Sequence, residues 1–120
     1  MFTSNNNEGF SMKFENGYTI SVQFGHRNYC SRRSMDAGEI MAAKDNKINS
    51  SLTAEVAILN RGKFIKAFED KREIKGWVDS DEVATIIDIV SNASNADQIR
   101  VGINNMRPRK REMFPGPINL

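Results

Sequence analysis

The chain predicts an α+β fold: a small antiparallel sheet of two hairpins with one C-terminal helix packed on it. Three features point there. Alternating apolar residues flank an Asn16-Gly17 turn, a second alternating stretch runs into Arg61-Gly62, and an apolar stripe at helical spacing follows Asp79. At 120 residues, 39% hydrophobic and 27% charged, with a mean hydropathy of −0.52, the chain suits one globular domain on the polar side.

Residues 1–9 are polar and Asn-rich, and they are expected to form a flexible N-terminus. From Phe10 an alternating pattern begins. Phe10, Met12 and Phe14 alternate with polar residues, and Tyr18, Ile20, Val22 and Phe24 do the same after the turn. A two-residue Asn-Gly loop would place these two rows on opposite faces. A three-residue Glu15-Asn16-Gly17 loop pairs Phe14 with Tyr18, Met12 with Ile20 and Phe10 with Val22, which keeps one apolar face. It also puts Gly17 at the left-handed position such loops require. The three-residue loop is therefore predicted.

Residues 26–52 are polar and charged and predict a long loop, with a short helix near 37–44 that Gly38 weakens. In the second hairpin, TAEVAILN leads through Arg61-Gly62 into KFIKAF. A two-residue loop would pair Ile58 with Ile65 and a three-residue loop Ile58 with Phe64; both registers remain open. The alternating charges of Glu69–Lys75 read as a solvated turn. Asp79 is the expected N-cap of a helix over 79–92, with Glu82 completing a capping box and Val78 and Val83 forming a hydrophobic staple. Val83, Ile86, Ile87 and Val90 then form its apolar stripe. Trp77, just before the cap, is expected to seal the edge of the core. The domain is accordingly placed at 10–93. Residues 94–120 are expected to be an irregular, basic, proline-containing tail, with at most a short strand at Ile99–Ile103.

Charge and chemistry narrow the function. The net charge is +2, too small for a protein that coats nucleic acid. Cys30 is the only cysteine, which excludes an internal disulfide and suits a reducing compartment. The opening MFTSNNNEGF lacks the pattern of a signal peptide. No apolar run nears the ~18 residues of a membrane span, and a cytosolic protein without membrane association is expected. His26 and Cys30 are the sole imidazole and thiol. No third group is identifiable to orient the histidine, so a structural role is preferred to catalysis. One Cys and one His are poor material for zinc, and no phosphate-cradling glycine loop occurs. No enzyme activity, metal or cofactor is predicted.

Two basic stretches are the candidate binding residues. Arg27, Arg32 and Arg33 surround Tyr29, and Arg107, Arg109, Lys110 and Arg111 precede Phe114. Arginine forks grip carboxylates and phosphates, and the aromatic rings suit either a base or a protein partner.

The strings GFSMKFENGYTISVQFG, NYC, AEVAILN and KGWVDSDEVATII resemble a family of short, uncharacterised bacteriophage proteins, over about residues 9–90. The resemblance implies a phage accessory protein in the host cytoplasm, of the kind that inhibits host enzymes or defence systems, and no catalytic residues. The expected function is thus steric inhibition of a host protein by binding. The alternative is a nucleotide or nucleic-acid binder that uses the basic loop and tail.

Overall fold

The three-residue loop expected at Glu15–Gly17 forms. In a computed structural model, which describes residues 1–45 and 49–106, strands β2 (Gly9–Lys13) and β3 (Tyr18–Gln23) pair Phe10 with Val22 and Met12 with Ile20. Phe14 N–H donates to the Tyr18 carbonyl at 2.9 Å, and Gly17 takes the left-handed φ of +90°. The N-terminus corrects an expectation. Residues 1–9 are not a frayed end, because strand β1 (Phe2–Ser4) pairs antiparallel with β2. The Asn run supplies the turn: Asn6 and Asn7 both have positive φ, a conformation asparagine tolerates better than other side chains do.

The long segment after β3 holds a 3₁₀ turn at Ser31–Ser34 and helix α1 (Ala37–Asp45). Asp36 caps α1 by accepting from Glu39 N–H at 2.8 Å. Strand β4 (Thr53–Asn60) then pairs along β3. Its other edge is filled in two pieces. Strand β5 (Lys63–Phe64) pairs Leu59 with Phe64, and Ile65 N–H donates to the Ile58 carbonyl. The second hairpin thus has the two-residue loop, with Arg61 and Gly62 both at positive φ as such tight turns demand. The strand expected through Phe68 stops early, because Ala67 and Phe68 turn into the core. Residues 65–73 leave the sheet, and strand β6 (Ile74–Asp79) resumes antiparallel to β4. Part of the presumed solvated turn is therefore strand.

Helix α2 (Ser80–Asn92) starts where its cap predicts, with Asp79 Oδ1 accepting from Glu82 N–H at 2.8 Å. A further helix, α3 (Ala96–Asn104), stands where a short strand and the start of an irregular tail are expected; the rest of that tail, from 107, lies outside the described residues. Its cap is Asn95, which accepts from Gln98 N–H, while Gln98 Oε1 accepts from Ser94 N–H at 2.7 Å. The run Ile99-Arg100-Val101-Gly102-Ile103 alternates like a strand, but Ile99 and Ile103 also stand one helical turn apart. Both are buried and Val101 is exposed, as a helix requires.

The core lies between the sheet and these two helices. Ile20, Val56, Ile58, Ile86, Val90 and Ile99 have no exposure. Ala57, set between Val56 and Ile58, is buried outside this core. Strand alternation turns it to the opposite face beside its partners Ser21 and Ile74. That face carries no helix of the core.

One side chain ties the first hairpin to α2. Asn16 Nδ2 donates to the carbonyls of Val90 and Ala93, each at 2.8 Å, and Asn16 Oδ1 accepts from Tyr18 N–H. Both stand at the C-terminus of α2, where carbonyls run short of internal donors; the Val90 carbonyl also accepts from the Ala93 N–H, at 3.3 Å. Asn16→Ala should cost about 1–3 kcal/mol, the range for orphaning partly buried groups. Asn16→Asp should cost more, since it aims a carboxylate at two carbonyls on the negative end of the helix dipole. Urea denaturation of both variants checks the order, and an Asp variant more stable than the Ala variant would contradict this contact.

Candidate functional site

Strand β6 is one residue too long for its partner. Ala54 pairs with Val78 and Val56 with Lys75, so Gly76 and Trp77 together oppose Glu55. This is a β-bulge, which bends a strand and re-aims its side chains. Trp77 has φ +51°, a conformation costly for a bulky residue. The residue is 57% exposed. The expectation that Trp77 seals the core edge is therefore wrong; Val78, the next residue, enters the core instead.

The loop after β3 packs onto the bulge through the backbone of Tyr29. Tyr29 N–H donates to Glu55 Oε2 at 2.7 Å, and the Tyr29 carbonyl accepts from Trp77 N–H at 2.8 Å. Gly76 permits this approach: a Cβ there would lie 2.7 Å from the Tyr29 Cβ and 3.0 Å from its carbonyl oxygen. The Tyr29 and Trp77 rings then meet with centroids 5.8 Å apart and planes tilted by 45°. The Arg33 guanidinium sits 4.3 Å from the Tyr29 ring centroid, within cation–π range, and its Nη1 donates to the Arg27 carbonyl at 3.0 Å. Tyr29 is 46% exposed. The result is a platform of two aromatic rings and one arginine, beside a depression of about 570 Å³ lined by Lys71, Arg72, Glu73 and Ile74.

The predicted basic loop divides. Arg27 and Arg33 are exposed. Arg32 is buried, with Nη1 donating to the Phe24 carbonyl, Nη2 to Asn49 Oδ1 and Nε to Met35 Sδ. It is a structural anchor and cannot serve as a surface binding group. Arg107, Arg109, Lys110, Arg111 and Phe114 lie outside the described residues. Sequence reasoning missed Trp77 as a surface residue; the sole signal was Gly76 before it, since an isolated glycine inside a strand marks a bulge or a close approach.

Cys30 is buried, and its Sγ lies 3.3 Å from the Gly25 carbonyl. His26 Nδ1 faces Glu8 Oε1 at 3.9 Å. Among the described residues no three His, Cys, Asp or Glu side chains group to hold a metal, and no helix there is long and apolar enough to cross a membrane.

If the Trp77 ring serves binding and not folding, Trp77→Gly should match or exceed the stability of the wild type. Glycine relieves the positive-φ strain, worth about 1–3 kcal/mol, and the exposed ring contributes little burial. Gly76→Ala should destabilise the chain and shift the Trp77 emission spectrum, because Tyr29 must retreat. Thermal melts and fluorescence check both, and a Trp77→Gly variant that melts well below wild type would make the ring structural.

No family model, curated protein or solved structure matches this chain.

Proposed function

We propose that the chain is a non-enzymatic binding protein, phage-encoded as its sequence resemblance implies. In this reading it inhibits a host protein by covering a functional surface through the Tyr29–Trp77–Arg33 platform. The observation that carries this reading is the exposed Trp77, held at a strained φ of +51° on a bulge. Backbone strain persists where the surrounding structure enforces it, and such outliers cluster at functional sites. Trp, Tyr and Arg are also the residues most enriched at the energetic centres of protein interfaces.

Two features weigh against the nucleotide or nucleic-acid alternative. Arg32 is committed inside the fold, which leaves the loop fewer groups to neutralise phosphates. The two rings touch at a tilt, so they leave no slot for a base to enter between them. A base would have to stack on the outer face of Trp77 alone.

Immobilised chain should retain a protein from bacterial lysate that the Trp77→Ala chain does not retain. Once identified, that protein should bind the purified chain in a defined stoichiometry. Trp77→Ala should weaken the complex by about 2 kcal/mol or more, roughly thirtyfold in Kd. Salt should weaken it only mildly, as interface rim charges do. Retention of nucleic acid alone, or retention indifferent to Trp77, would overturn the reading.

A further inference from the structure

We infer that the platform's partner is an acidic protein segment, with a carboxylate seated on Arg33 and a neighbouring apolar side chain laid against Trp77. This inference rests on the protein-binding reading above and adds the chemistry of the partner.

The first support is the state of Arg33. Stacking on Tyr29 holds one face of the guanidinium, and the Arg27 carbonyl takes one of its N–H groups. A guanidinium carries five donors, and among the described residues no carboxylate pairs with this one. The group is thus ordered before any ligand arrives, with donors to spare. An arginine held in this way loses little freedom when it forms a two-pronged bond to a carboxylate.

The second support is the balance of charge around the rings. Lys71 and Arg72 line the depression beside Tyr29 and Trp77, with Glu73 as the acid among its lining residues. Neither basic side chain forms an ion pair among the described residues. Glu55 lies at the bulge, but its carboxylate accepts the Tyr29 N–H. On the Tyr29 side of Trp77, Arg33, Lys71 and Arg72 thus stand without an ionic partner among the described residues against the single acid Glu73, while Glu69 and Asp70 line the adjoining depression that Trp77 and Arg72 share. A basic segment would be repelled there, and a purely apolar one would leave the cations unused and partly desolvated.

The third support is shape. A depression of about 570 Å³ has room for a few side chains. Its floor includes Ile74, on the sheet face away from the helices, next to Trp77. An aromatic or aliphatic side chain flanked by Asp or Glu meets both requirements in one short stretch.

Trp77 is the sole tryptophan of the chain, so its fluorescence reports from the site itself. The probes are a short Trp-free peptide alternating Asp and Glu with Phe, its Asn/Gln counterpart, its Lys counterpart, and an oligothymidylate of the same net charge. The acidic peptide should change Trp77 emission saturably and bind at least tenfold tighter than the neutral one. Arg33→Ala should reduce it to the neutral level. Arg33→Lys should recover only part of the loss, since an ammonium lacks the fork, and circular dichroism of both variants confirms that they are folded. Equal binding of the acidic and neutral peptides, or no emission change with any peptide, would overturn the acidic partner while leaving the protein-binding reading to its own capture experiment. Tighter binding of oligothymidylate than of the acidic peptide would overturn both.

Discussion

Strand β4 carries backbone hydrogen-bonding groups on both edges along eight residues, and every buried group among them must find a partner. One edge is satisfied by β3 in an unbroken register. The other is satisfied by β5 and β6, separated by an excursion and ending in a bulge. Most of the distinctive geometry follows from that second edge. The excursion lets Ala67 and Phe68 fill the core, while the bulge resets the register so that Val78 points inward directly before the cap of α2. Without the extra residue, alternation from Val78 would keep the strand regular and leave no left-handed position for Trp77. The exposed aromatic platform is thus a by-product of joining a strand to a helix in correct phase.

The same constraint explains why the loop after β3 is ordered. A bulge leaves a residue unpaired in the ladder, and here the Trp77 N–H is met by the Tyr29 carbonyl. Glu55, the residue facing the bulge, takes the Tyr29 N–H. Thr53 holds Ser31 in a similar way, with its Oγ1 accepting the Ser31 N–H at 2.8 Å. The loop therefore acts as a partial extra strand made of side-chain and single backbone bonds. The Tyr29 ring is carried to Trp77 by these contacts and does not need a hydrophobic core of its own.

Where local chemistry decided the structure, it was legible from the residues. Gly17 and the apolar rows of the first hairpin admit one register, and Asp79, Glu82, Val78 and Val83 agree on one helix start. The misreadings came from patterns that serve two structures equally well. Ile99 and Ile103 fit both periods while Val101 fits only the strand, and the arbiter is the Asn95 cap, whose side chain accepts from Gln98 N–H. The Asn5–Asn7 run signals polarity, but what shapes the chain is the tolerance of Asn6 and Asn7 for positive φ. For the platform, Tyr29 and Arg33 were legible as candidates, but Trp77 was not. Burial of a tryptophan is a sound expectation from hydrophobicity, and only the long-range pairing of β6 with β4 reverses it.

Arg32 and Arg33 show why a basic motif cannot be scored by counting charges. The 3₁₀ turn at Ser31–Ser34 directs neighbouring side chains in different directions. Arg32 is turned inward, where one guanidinium joins Phe24, Met35 and Asn49 and replaces the water that its burial excludes. Its charge is then part of the framework that orders the loop, and removing it would leave the part-buried Phe24 carbonyl without that donor. Arg33 is turned outward onto Tyr29, where ordering by an aromatic face preserves most of its donors for a ligand. One arginine thus secures the segment that presents the other. The surface thus presents a single oriented fork beside two rings, and the proposed preference for a discrete protein contact over many phosphates rests on that arrangement.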